Sequence, residues 1–71
     1  MEIVVNGERR EIPEGQVSQG LTVSALIEHL GMPLDRVALE RNREILQRPQ
    51  WKSTLVQPND VFEIVHFVGG G

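Results

Sequence analysis

A chain of 71 residues carries one small domain, since a chain near this size buries only about 60% of the surface its unfolded form exposes. It contains no cysteine, which excludes a disulfide framework, a thiolate metal site and a thiol nucleophile, so any sulfur it handles comes from elsewhere. Ten acidic residues against seven basic ones leave a net charge of −3, and there are one tryptophan, two phenylalanines and no tyrosine; both features oppose nucleic-acid binding, the first by its field and the second by denying bases a stacking platform.

The opening MEIVVNG has no basic segment followed by an apolar stretch. No apolar run nears the roughly 18 residues a membrane span requires, so a cytoplasmic protein with no membrane contact is expected. EIVVNGERREI places two short extended runs about Asn6-Gly7, the dipeptide that best supplies the two positive φ angles of a type I′ turn, and predicts a β-hairpin. PEGQVSQG has no periodicity and reads as a loop. In LTVSALIEHLGMP, Val23, Leu26, Ile27 and Leu30 recur at helical spacing, with Thr22 able to cap the start, Gly31 suited to the left-handed position past the end and Pro33 barring continuation. So short a helix needs a sheet to pack on.

RVALERNREILQR reads as two short extended pieces about Asn42, and RPQWKSTLVQPND as connection with a turn at Pro58-Asn59-Asp60. VFEIVHFV is the last strand, with Phe62, Ile64, His66 and Val68 on one face and Val61, Glu63, Val65 and Phe67 on the other. Burying an unpaired carboxylate costs several kcal/mol, so the Glu63 face turns away from the helix; the same reasoning from Glu2 turns Val4 and Asn6 outward. The order strand, strand, helix, short strands, strand predicts an α+β fold, one mixed sheet with a single main helix across one face. With the first and last strands as parallel neighbours, right-handed crossover leaves the β-grasp of ubiquitin. The expected organisation is a domain over residues 1–68 and a glycine tail over 69–71. If the first and last strands are neighbours, Val4, Val65 and Phe67 form an exposed apolar patch beside the root of that tail, a candidate docking site.

Several tempting features carry no chemistry. The glycines of NGERREIPEGQVSQG fit no phosphate-binding spacing, and Ser18, Ser24 and Ser53 lack the nucleophile-elbow setting. His29 and His66 are too few for a metal site. Arg41, Arg43, Arg48 and Lys52 are interleaved with Glu40 and Glu44 and read as a solvated mixed-charge face. Trp51 reads as a lid on the core.

The closing FEIVHFVGGG runs a strand directly into three glycines. A glycyl carboxyl is the least hindered acyl group a protein presents, because no Cβ shields its carbon. Glycine before it lets the backbone thread a narrow channel. Converted by ATP to an acyl adenylate, such a carboxyl would accept sulfur from a thiolate or persulfide on another protein and become a thiocarboxylate.

The stretches VALERNREILQRPQW and TLVQPNDVFEIVHFVGGG, with Arg48, Trp51, Asp60 and Gly69-Gly70-Gly71 in place, resemble the ThiS family of thiamine-biosynthesis sulfur carriers, which are ubiquitin-like. The loop in PEGQVSQGLTVSAL looks a few residues longer than the family's usual one. The resemblance implies Gly71 as the site of adenylation and thiocarboxylate formation, and Gly69 and Gly70 as the threading segment. It further implies a ThiF-type adenylating enzyme that uses ATP, a sulfur-donating protein and thiazole synthase as partners. The chain itself would bind no cofactor or metal and act as a co-substrate rather than an enzyme. Rival readings are a carrier for molybdopterin synthesis, a protein-conjugation modifier, and a β-grasp interaction module with an inert tail.

Overall fold

The computed structural model describes residues 1–13, 15 and 20–67. The Gly69–Gly71 tail, Val68 before it and most of the loop over residues 13–21 lie outside these. Strand β1 (Glu2–Val5) turns back into β2 (Glu8–Glu11), helix α1 (Val23–His29) follows, and then come β3 (Val37–Arg41), β4 (Glu44–Ile45) and β5 (Val61–His66). The sheet has the order β2-β1-β5-β3-β4. Its central pair, β1 and β5, is parallel and the other pairs are antiparallel.

Local chemistry explains the elements. Asn6 and Gly7 take φ of 51° and 82°, the two left-handed residues that match a tight hairpin turn to the twist of its strands. Asn42 and Arg43 repeat that geometry, at 52° and 71°, between β3 and β4. Thr22 caps α1, its hydroxyl oxygen accepting from the Ala25 amide at 3.1 Å, and Gly31 ends it at φ 77°.

The helix lays Val23, Leu26 and Ile27 on the sheet's inner face, where Ile3, Val5, Val37, Leu39, Phe62 and Ile64 form the other half of the core. Ile12, Leu21, Val56 and Trp51 close its rim. Trp51 is only 3% exposed, and its indole nitrogen donates to the Leu46 carbonyl at 2.9 Å, so it is the core lid that its residue type predicts. Leu30 is half-buried against the cluster. The expected α+β fold, the helix and the parallel central pair are all present.

Candidate functional site

β5 alternates from Val61 to Val65, and His66, on the Phe62 and Ile64 face, is exposed where the strand ends. Phe62 and Ile64 are buried, whereas Val61, Glu63 and Val65 are exposed. Because residues paired across a sheet share a face, the register assigns the outer surface: Ala38 opposite Val65, Glu40 opposite Glu63, Ile45 opposite Glu40, and Val4 opposite Val61. Among the described residues this surface carries the three most exposed β-branched side chains, Ile45 at 71%, Val65 at 62% and Val61 at 40%, with Phe67 at 43% just beyond the strand.

One feature of the expected patch is corrected by this register. Val4 lies opposite Val61, four positions before Val65, a separation of about 13 Å along a strand rising about 3.3 Å per residue. Val4 is also half-buried. It therefore does not adjoin Val65 and Phe67. Their neighbours lie on the other side of β5: Val65 shares a shallow hollow of about 180 Å³ with Ala38, Leu39, Glu40, Ile45 and Glu63. Phe67 borders a second hollow, of about 160 Å³, that reaches Val37, Ile45 and Trp51. Ile45, the most exposed large apolar side chain described, was not singled out by the sequence, because two residues of strand offer no alternation to read.

Three residues fix this surface in place. The Phe67 amide donates to the Arg36 carbonyl at 3.0 Å and extends the β3–β5 pairing past His66. Arg48 donates through Nη2 to the Val37 carbonyl at 3.1 Å while its guanidinium lies 5.2 Å from the centre of the Trp51 ring, so it covers the part of the β3 edge that short β4 leaves open. At the far end of β5, Asp60 is 5% exposed. Its carboxylate accepts from Arg41 Nε at 2.8 Å, Asn42 Nδ2 at 3.1 Å and the Gln57 amide at 2.8 Å.

Asn42 in turn accepts from the Val61 amide through Oδ1 at 2.9 Å. Asn6 does the equivalent between β1 and β5, its side-chain amide both donating to the Ile64 carbonyl and accepting from the Ile64 amide. Arg41 and Arg48 are thus used within the chain and do not join Arg43 and Lys52 in one free patch. His29 closes α1 and His66 closes β5, and no three metal-ligating side chains gather among the described residues.

A mixed sheet of five strands, its parallel central pair joined across a packed helix and its last strand followed in the sequence by three glycines, defines a ubiquitin-like β-grasp domain. Its relatives agree. The chain belongs to the ThiS family, whose model matches residues 3–71. It is similar over its whole length to the crystal structure of the thiamine biosynthesis protein ThiS from Geobacter metallireducens, with 30% identity, complete coverage of both chains and a TM-score of 0.82.

It is 41% identical over 71 residues to a thiazole synthase of Paramagnetospirillum magneticum. That match takes in the entire chain but only 20% of the synthase, so the chain spans one fifth of that relative's length. The sulfur carrier protein ThiS of Bacillus subtilis is 49% identical over 35 residues, which cover 49% of this chain and 53% of that protein.

Proposed function

We propose that the chain is a sulfur carrier of thiamine biosynthesis and that the Gly71 carboxyl is its chemical site. The observation carrying this reading is that the family match runs through the glycines to residue 71 on a domain whose β5 pairs with β1 on one side and β3 on the other. The Gly71 carboxylate attacks the α-phosphorus of ATP on a ThiF-type enzyme, and pyrophosphate leaves. A persulfide on a sulfur-donating protein attacks the resulting acyl adenylate and expels AMP, giving an acyl disulfide. A second thiol then cleaves the S–S bond, forming a disulfide with the donor and releasing the thiocarboxylate.

Delivery to thiazole synthase completes the cycle and restores the carboxylate, which makes the chain a recycled co-substrate. A thiazole synthase containing a region 41% identical to the entire chain supports that last partner. Docking falls to Val65 and Phe67 at the end of β5, with Val4 and Val61 a separate apolar contact at the other end.

Intact mass after incubation with ATP, a ThiF-type enzyme and a sulfur donor tests the reading. The expected product gains the difference between one sulfur and one oxygen, localised to Gly71, and deleting Gly71 or adding one residue after it abolishes that gain while leaving thermal unfolding unchanged. Undiminished transfer from the extended chain would overturn it.

A further inference from the structure

Glu40 and Glu63 stand directly opposite each other on the outer face of β3 and β5. Like charges so placed destabilise a sheet. Neither carboxylate has a hydrogen-bond or ion-pair partner among the described residues; of the cations on β2, β3 and the following turn, Arg9 is bound to Glu2, Arg41 to Asp60 and Arg48 to the Val37 carbonyl. The pair is set among apolar side chains. Ala38, Ile45 and Val65 line the same hollow with both carboxylates, and Ile45 and Val65 are the two most exposed large apolar residues described.

We propose that this face docks a protein surface that is apolar apart from one guanidinium, seated between Glu40 and Glu63. The fit follows from chemistry. A guanidinium is planar, has five donors in a fixed fork, and can bond two carboxylates at once. Ile45 and Val65 closing around it would exclude water and strengthen both bonds. The repulsion built into the free chain is thereby relieved only on docking.

The occupant rests on the sulfur-carrier reading: it is the enzyme that adenylates the chain. Such an enzyme must carry basic groups to hold the phosphates of ATP, which suits a carrier of net charge −3. It must also grip the body close to the tail. Gly71 lies four positions beyond Phe67, a span of at most about 14 Å, so the grip belongs on the Val65 end of the sheet.

The test is ATP–pyrophosphate exchange by the ThiF-type enzyme of the same cell, titrated with parent, Glu40→Gln, Glu63→Gln, doubly substituted Glu40→Gln/Glu63→Gln and Ile45→Ser chains, with thermal unfolding measured beside it. Each Gln variant is expected to raise the KM for the carrier about tenfold, the worth of about 1.4 kcal/mol of lost contact, with kcat unchanged and a Tm equal to or above the parent's. Ile45→Ser raises KM several-fold. A parent-like KM for the doubly substituted Gln chain overturns the inference while leaving the sulfur-carrier reading intact, and so does a Tm several degrees lower in both Gln variants, which would make the pair a structural one. A parent chain that supports no exchange overturns the sulfur-carrier reading and this occupant together.

Discussion

Replacing Asp60 by alanine removes the acceptor that ties the β3–β4 turn to the start of β5. Three donors converge on that carboxylate, two at 2.8 Å and one at 3.1 Å, and its side chain is 6% exposed. Removing one partner of a buried ion pair costs about 3–5 kcal/mol. Arg41 is 26% exposed and can rehydrate its guanidinium, which brings the expected loss to the lower end, about 3 kcal/mol. Against a total of about 4–10 kcal/mol for a domain of this length, that is about three tenths of the stability or more, and Tm should fall by about 12–24 °C.

Asp60→Asn separates charge from shape. If its oxygen keeps the site shared by Arg41 Nε and Gln57, its NH₂ then meets the Asn42 NH₂, donor against donor. Turning Asn42 over would relieve that clash but break its bond to the Val61 amide. The amide variant should therefore lose about 1–2 kcal/mol. Urea unfolding followed by the fluorescence of Trp51, the single tryptophan and a buried one, reads all three chains, and a cycle with Arg41→Ala isolates the pair. An alanine variant within about 1 kcal/mol of the parent, inside the range of a single ordinary hydrogen bond, would refute the assignment of Asp60 as the tie between β3 and β5.

Asn6→Ala should cost about 2–3 kcal/mol, combining two lost bonds to Ile64 with a non-glycine residue left at positive φ. Asn6→Gly should recover only the backbone share, and faster hydrogen exchange at the Ile64 amide would identify the rest. Gly31→Ala should cost about 1–2 kcal/mol from backbone strain alone, since a Cβ there meets nothing within 4 Å. Gly70→Val should slow adenylation many-fold with no change in Tm, as measured by pyrophosphate exchange beside calorimetry; a variant activated as fast as the parent would remove the threading role from Gly70.

The elements were legible because short-range rules fix them. Asn6-Gly7 demanded a tight hairpin, Thr22 and Gly31 bracketed a helix whose apolar stripe needed a sheet, and Glu63 declared which face of β5 meets water. Register was not legible. A period of two tells which way a side chain points, but not which residue of a neighbouring strand stands beside it. For β1 and β5, no turn links the strands to set the offset. Placing Val4 beside Val65 was therefore the natural error: it takes the right face of both strands and the wrong alignment between them.

The polar ties were hidden for a related reason. Asn6 and Asn42 each have a turn role visible locally, yet their side chains bond Ile64 and Val61, far along the chain. Arg48 and Trp51 were visible as residues of the family pattern. Their geometry supplies a physical reason, one covering an edge carbonyl and the other closing the core.

An exposed apolar face raises the question of what stops two copies from pairing through it. Ile45, Val65 and Phe67 would match the same residues of a second chain, since a two-fold interface is self-complementary. Such a pairing through the outer face brings four carboxylates together, Glu40 and Glu63 from each copy, in a setting where like-charge juxtaposition costs several kcal/mol. The same pair that attracts a guanidinium therefore repels a second copy of this chain. Replacing both by glutamine keeps the shape and removes the repulsion, so the double variant should self-associate at concentrations where the parent stays monomeric, and more so than either single variant. Sedimentation equilibrium over a range of concentrations reads this directly. Adding Val65→Asp to the double variant should restore the monomer by putting a charge back on the face. A double variant that remains as monomeric as the parent would show that the apolar residues are too sparse to pair unaided, and that the two glutamates do not guard this face.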